Sequence, residues 1–136
     1  MPGVLKISEA VNLALHTAGL LAGEQDRVLS VREVALALGG SEAHLSKVLQ
    51  RLAKAGLVAS DRGPKGGFRL AKRPREITLL AVYEAIEGPL EASNCLLGRA
   101  VCNGRCILGD LLGRVNRSVS DVLSKTSLAD VKSSFH

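Results

Sequence analysis

Aromatic residues are scarce in this sequence: they form 2% of its 136 residues, and tryptophan is absent. The core must therefore be built from aliphatic side chains. Since 46% of the residues are hydrophobic, this composition favours helices packed on helices. A chain of this length suits one domain with an appendage.

Signals for membranes and export are missing as well. No apolar run approaches the roughly 20 residues that a membrane-spanning helix needs. The start of the chain, Met1–Glu9, lacks the basic beginning, apolar centre and small-residue cleavage site of a signal peptide. We therefore expect a cytoplasmic protein without a membrane partner.

Motifs of common enzymes are also lacking. The sequence contains no P-loop and no dinucleotide-binding fingerprint. No cysteine is coupled in the sequence to a histidine and an orienting acid, as a thiol nucleophile requires. The glycine-rich run at residues 63–67 is not followed by a predicted helix, so it is typical of a hairpin turn and not of a phosphate-binding loop. We expect no enzymatic activity.

Basic residues are concentrated in the first half of the chain. Residues 1–75 carry twelve Lys and Arg against six Asp and Glu, whereas residues 76–136 carry six against seven. Nine of the basic residues lie within Lys47–Arg75, where Asp61 is the only acid. Such a concentration suits a surface that neutralises phosphates, although a solvated face that keeps the protein in solution has the same composition.

Three helices are predicted in this basic half. Apolar residues at helical spacing predict a first helix over Val4–Leu21. A capping box that starts at Ser30 predicts a short second helix, Val31–Leu38, which ends at two glycines. Ser41 then caps a third helix that runs to about Ala55, with one apolar and one polar face. Two short helices joined by a tight turn are typical of a helix-turn-helix, although other helical corners share the pattern.

A basic hairpin follows the third helix. Leu57–Ser60 and Phe68–Ala71 are predicted strands, and the glycines and proline between them predict a turn. Arg62, Lys65 and Arg69 give this hairpin its charge. A basic hairpin directly after a helix-turn-helix is typical of a wing. The sequence therefore predicts a mainly α fold, a winged helix-turn-helix with a two-stranded wing.

Two more helices are predicted after the wing. The first covers Leu79–Ile86, and the second runs from about Leu108 to Leu123 with an apolar stripe at steps of three and four residues. This stripe predicts a long C-terminal dimerisation helix, and packing back onto the first helix is a compatible alternative. The predicted parts are a DNA-binding domain (1–75), a connecting helix with a cysteine loop (76–107), and a dimerisation helix with its tail (108–136).

Three cysteines, Cys95, Cys102 and Cys106, lie close together in the sequence. Thiolates are preferred ligands of iron–sulfur clusters, zinc and copper(I), and the spacing alone does not choose between these metals. An odd number of cysteines argues against a disulfide framework. The metal-free alternatives are a reversible disulfide between Cys102 and Cys106, or thiols without a sensory role.

Several short segments carry a family resemblance when they are taken together. They are Lys6–Ser8 with Leu13–Leu15, then Lys54–Val58 with Arg62–Ala71, then Glu76–Leu79 with Ala85–Gly88, and finally the three cysteines. In this order they resemble the opening helix, the wing, the segment after the wing and the cysteine cluster of the Rrf-type winged-helix transcription regulators. That family includes the IscR, NsrR and CymR proteins.

The resemblance implies a sequence-specific transcription regulator, and we expect a repressor. It would be a homodimer whose third helices enter successive major grooves of a double-stranded DNA operator. The first turn of such a helix faces base edges and phosphates, and the hairpin reaches the backbone or an A·T-rich minor groove. The expected DNA-binding residues are Ser41, Glu42, His44, Lys47, Arg51, Arg62, Lys65 and Arg69.

The resemblance also implies an iron–sulfur cluster, 2Fe–2S or 4Fe–4S, on Cys95, Cys102 and Cys106, which would sense redox state, iron or nitric oxide. Relatives take the fourth ligand from a histidine three residues after the last cysteine or from the partner's first helix. The candidates here are Glu9, Asn12, His16 and Asp110. The alternative is a metal-free family member that senses thiol oxidation or a partner protein such as an enzyme.

Overall fold

A computed structural model describes residues 6–90, 95–97, 99 and 101–132. Within these ranges the chain is mainly helical with a two-stranded antiparallel sheet, which confirms the predicted fold class. A 3-10 turn, Pro74–Glu76, links the sheet to the helices that follow. The elements in chain order are α1 (Glu9–Gly23), α2 (Val31–Leu38), α3 (Glu42–Lys54), β1 (Val58–Asp61), β2 (Gly67–Leu70), α4 (Leu79–Glu87), α5 (Leu111–Lys125) and α6 (Leu128–Val131).

Hydroxyl side chains start the first four helices. Ser8, Ser30, Ser41 and Thr78 each precede a helix, and each hydroxyl accepts a hydrogen bond from the backbone N–H three residues further on. These bonds satisfy N–H groups that have no partner inside the helix. At α2 the carboxylate of Glu33 also accepts from the N–H of Ser30, so the predicted capping box is present.

The core is aliphatic, as the composition predicts. It joins α1, α2, α3, the sheet, α4 and α6, whereas α5 contributes no buried residue. Among the residues that the structure describes, Thr17 is the one buried residue with a polar side chain. The buried hydrophobic residues are Val11, Ala14, Ala18, Leu21, Ala22, Leu29, Val34, Ala35, Leu45, Val48, Leu49, Leu52, Leu57, Val58, Ile77, Val82, Ile86 and Leu128.

Two helices begin later than their apolar spacing predicts. The spacing predicts a start at Val4 for the first, which lies outside the described residues, and α1 begins at Glu9 because Ser8 caps it. For the long helix the spacing predicts a start at Leu108, whereas α5 begins at Leu111. The N–H of Gly109 donates to the carbonyl of Cys106 at 3.0 Å, so the chain makes a separate turn before α5.

The wing is fastened to the helical part at its base. β1 and β2 pair antiparallel, with Ala59 opposite Arg69 and Ser60 opposite Phe68. Phe68 also exchanges two backbone hydrogen bonds with Leu29, which lies between α1 and α2, at 2.7 and 2.9 Å. This extra pairing fixes the position of the hairpin beside the helix-turn-helix. None of the helices in the described ranges combines the length and apolarity required to cross a bilayer.

Candidate nucleic-acid interface and cysteine segment

The third helix has the two faces of a recognition helix. Leu45, Val48, Leu49 and Leu52 are buried in the core. The opposite face is exposed and polar, and it carries Glu42, Lys47, Gln50 and Arg51. The turn between α2 and α3 is tight because Gly39 adopts a left-handed conformation with φ of 71°, which a residue with a side chain rarely adopts. α3 is therefore held by its apolar face, and its polar face is open.

The first turn of α3 combines a cap with exposed polar groups. The hydroxyl of Ser41 accepts from the backbone N–H of His44 at 3.3 Å. Glu42 is exposed. The imidazole of His44 is about one-third exposed, and its Nδ1 lies 3.9 Å from Oε1 of Glu9 at the start of α1. Of these predicted DNA contacts, Ser41 thus also has a structural task, and His44 already has an acidic neighbour.

Lys47 and Arg51, the two cations among the predicted DNA-binding residues of α3, differ in their surroundings. Lys47 is exposed on the polar face. Arg51 is also exposed overall, but its Nη2 donates a short hydrogen bond to the backbone carbonyl of Ile86 in α4. No local sequence signal indicates this bond, since its partners lie 35 positions apart.

The wing presents its cations in two ways. Arg62 and Lys65 lie exposed in the turn. The Nε of Arg69 lies 3.4 Å from Oδ2 of Asp61 across the strands, and about half of each side chain is exposed. An exposed ion pair of this kind is weak, at most about 1 kcal/mol, so Arg69 can exchange its partner for a phosphate.

Further cations, to which the sequence pattern assigns no individual role, lie at the base of the wing. Lys72, Arg73 and Arg75 are exposed just after β2. Together with Arg69 and the acidic Glu76, the first two line an open cavity of about 410 Å³. The signal that could have identified them is their place in the basic stretch that ends at Arg75. The positive surface therefore continues beyond the hairpin turn.

The three cysteines of the cysteine segment, whose described residues are 95–97, 99 and 101–107, line one small cavity. Cys95, Cys102 and Cys106 all line a cavity of about 140 Å³. The thiol of Cys95 donates to the carbonyl of Arg99, and Sγ of Cys106 accepts from the N–H of Leu108, both at 3.4 Å. No disulfide joins these three cysteines.

The cysteine donors suit an iron–sulfur cluster chemically, but their arrangement does not. In the described part of the chain, no three His, Cys, Asp or Glu side chains form a group that could hold a metal ion. The fourth-ligand candidates have other neighbours: Nδ1 of His16 lies 2.7 Å from the carbonyl of Asn12, and Asp110 pairs with Arg114 at 3.3 Å. Glu9 faces α3. This conformation of the segment does not fit a cluster.

Apolar surface is exposed along the cysteine segment and α5. The exposed fractions are 70% for Leu96, 94% for Ile107 and 59% for Val122. α5 packs against α4, and an apolar groove of about 280 Å³ runs beside it. The groove is lined by Ile7, Leu15, Tyr83, Ser118, Val119, Val122 and Leu123.

A capped helix-turn-helix with a basic wing defines the protein as a winged-helix regulator. The sequence matches the Rrf2 family, described as iron-dependent transcriptional regulators, over residues 7–134. The chain belongs to this family, which confirms the resemblance found in the sequence. Its relatives are named as transcriptional regulators, which confirms the expectation of a protein without enzymatic activity.

Individual relatives cover nearly the whole chain. IscR of Photobacterium profundum is 30% identical over 131 residues, which are 95% of this chain and 72% of that protein. The structure of CymR, the global cysteine regulator of B. subtilis, superposes with a TM-score of 0.80 at 30% identity, covering 96% of this chain and 98% of that one. IscR of T. potens gives a TM-score of 0.77 at 28% identity, covering 98% and 90%.

Proposed function

We propose that the protein is a homodimeric repressor that binds a specific DNA operator through α3 and the wing. The single observation that carries this proposal is the open polar face of α3 beside a basic hairpin. Around it lie exposed Lys47, Arg62 and Lys65. Phosphate contacts from such cations supply affinity, and side chains in the first turn of α3 read base edges.

The charge distribution supports DNA as the partner. The nine basic residues of the Lys47–Arg75 stretch belong to α3, the wing and the turn after β2, which are consecutive parts of the DNA-binding half. Asp61 is the one acid in this stretch, and it pairs with Arg69. A surface of one charge sign attracts the polyanionic backbone over a distance of roughly 10 Å at moderate salt.

The second subunit is supported by α5. None of its residues is buried, although Leu111, Val115 and Val122 form an apolar stripe that is 41–59% exposed. An apolar helix face beside an apolar groove is the usual form of a helix interface. A homodimer places two recognition helices on two half-sites.

DNA binding can be tested by selecting fragments from random double-stranded DNA and measuring affinity against salt. We expect log K to fall by roughly 0.9 per phosphate contact for each tenfold rise in salt. Lys47→Ala and Lys65→Ala should weaken binding and reduce this slope. Lys132→Ala, which removes an exposed lysine after α6, is the matched control. Selection without any sequence preference would instead indicate a protein-interaction adaptor.

We further propose that the cysteine segment receives the signal. Its three cysteines line one cavity, and in the sequence they lie between the winged helix and α5. The family description as iron-dependent regulators supports a bound cluster, whereas the thiol cavity supports direct thiol oxidation as a second candidate. A cluster requires a different conformation of the segment, or a ligand from a second subunit.

The two candidates are distinguished by anaerobic purification with iron, sulfide and zinc assays. Bound iron and labile sulfide that Cys102→Ala removes would assign a cluster. Metal-free protein that forms a disulfide between Cys102 and Cys106 on mild oxidation, with altered DNA affinity, would assign thiol sensing. Both candidates would be excluded if neither loss of bound iron nor mild oxidation changed operator binding by the wild type. A variant with all three cysteines replaced by Ala would then bind the operator as the wild type does.

A further inference from the structure

Three polar contacts join α1, α3 and α4 near the end of α4. Arg51 of α3 donates to the carbonyl of Ile86, and the hydroxyl of Ser8 donates to Oε1 of Glu87 at 2.6 Å. Glu9 of α1 lies 3.9 Å from His44 of α3. Each pair of these helices therefore shares one of these polar contacts. The apolar packing of α3 is thus supplemented by polar contacts to α1 and α4.

The hydrogen bond from Arg51 is accepted by a carbonyl in the last turn of α4. The last four carbonyls of a helix have no partner inside the helix, and they form the negative end of the helix dipole. Ile86 is buried, so water has little access to this residue. A guanidinium is a charged donor, and hydrogen bonds from charged groups are stronger than those from neutral ones.

The chain around this carbonyl is held on both sides. The hydroxyl of Ser8 also accepts from the N–H of Val11, so it binds Glu87 and caps α1 at the same time. The carboxylate of Glu84 accepts from the N–H of Leu90 at 2.9 Å, after α4 has ended. In the sequence, Cys95 follows the last residue of α4 by eight positions. The end of α4 is therefore bonded to the recognition helix and is close in sequence to the cysteine segment.

We propose that Arg51 is a positioning residue that fixes α3 to the end of α4, and that it does not neutralise a DNA phosphate. Its guanidinium caps α4, and the recognition helix keeps its angle because of this bond. A displacement at the end of α4 is transmitted to α3 through Arg51. The effect on DNA rests on the proposed function, whereas the bond itself can be measured without DNA.

The first test is backbone hydrogen exchange of Arg51→Met and of the matched control Lys47→Met. Methionine keeps an apolar stem and removes the donor in both variants. We expect faster exchange in Arg51→Met at the end of α4 and in α3, with little change in Lys47→Met. Equal exchange at the end of α4 in Arg51→Met and wild type would overturn the proposal, whether or not the protein binds DNA.

The second test compares the salt dependence of operator binding. We expect Arg51→Met to bind about tenfold more weakly with an unchanged salt slope, because a misplaced helix reads base edges less well. Lys47→Met should lower the slope by about 0.9 for each phosphate that the lysine neutralises in the wild type. A slope lowered equally by Arg51→Met would overturn the proposal and assign Arg51 to a phosphate. Absence of wild-type DNA binding would refute the proposed function, and hydrogen exchange would then decide the role of Arg51.

Discussion

At the scale of single residues, the hydroxyl of Thr17 stands out in an otherwise aliphatic core. It is fully buried and has no hydrogen-bond partner within the described residues. An unpaired buried hydroxyl costs roughly 1–3 kcal/mol. We therefore expect Thr17→Val to raise the free energy of unfolding by about 1 kcal/mol in urea denaturation. Thr17→Ser, which keeps the hydroxyl and removes the methyl group, should lower it. A less stable Val variant would show that the hydroxyl is satisfied.

The carboxylate of Glu33 makes the stability of the fold depend on pH. The N–H of Ser30 and then the guanidinium of Arg27 hold the pKa of Glu33 below its ordinary value. A lowered carboxyl pKa stabilises the fold above the unfolded-state pKa, and this stabilisation is lost as pH falls through the folded-state pKa. We expect Glu33→Gln to be less stable than the wild type near neutral pH. Thermal unfolding should show this gap narrowing from about pH 7 to about pH 3. A constant gap would contradict the expectation.

At the scale of elements, the turn of the wing depends on close backbone approach at Gly66. Its N–H donates to the carbonyl of Gly63 at 2.9 Å, and a Cβ at this position would lie 2.3 Å from the carbonyl oxygen of Asp61. Gly66→Ala must therefore open the turn, with a strain of about 1–3 kcal/mol confined to the wing. We expect operator affinity to fall about tenfold, while the melting temperature falls by several degrees and the protein stays folded at the temperature of the binding assay. Pro64→Ala, in the same turn, is the control. Unchanged affinity in Gly66→Ala would exclude the wing from the DNA interface.

The elements also show which parts of the fold local sequence signals can predict. α2 has the predicted bounds because both of its ends are marked locally, by the Ser30 capping box and by Gly39. α6 carries a local mark at its start, since the carboxylate of Asp130 accepts from the N–H of Ser127 as in a capping box, but its four residues are too few for an apolar period and are held by remote partners. The N–H of Leu128 donates to the carbonyl of Ile77, and the N–H of Leu79 donates to the carbonyl of Thr126. Bonds between residues so distant in sequence leave no periodic pattern.

The candidate site also has features that the local sequence predicts and features that depend on how the chain packs. The exposure of Lys47, Arg62 and Lys65 is predictable, since it follows from helical periodicity and from a polar turn. The bond of Arg51 to α4 is not, because it depends on how two helices pack. The three cysteines are predictable as a cluster in sequence, but their failure to form a metal-binding group within the described residues depends on the conformation of the segment.

At the scale of the whole molecule, α5 is incompletely covered. It packs against α4 and has no buried residue, while the core of the described chain is closed without it. A helix whose apolar stripe stays in water contributes little to the stability of a monomer. The exposed apolar surface continues into the cysteine segment at Ile107. Dimer formation would therefore bury surface next to the segment that we propose as the sensor, so the two functions would share one interface.

The apolar stripe of α5 leads to the prediction that Val122→Glu separates the dimer into folded monomers. Val122 is 59% exposed and lines the groove beside α5, so glutamate is tolerated in the monomer but would be desolvated in the dimer. We expect the dissociation constant to rise at least about a hundredfold in sedimentation velocity, with an unchanged circular dichroism spectrum. Arg117→Glu, an exposed change on the same helix, should leave the dimer intact. A monomeric wild type would contradict the proposed dimer. A Val122→Glu protein that dimerises normally would place the subunit interface elsewhere. Loss of tight operator binding together with the dimer would show that two recognition helices must act on one operator.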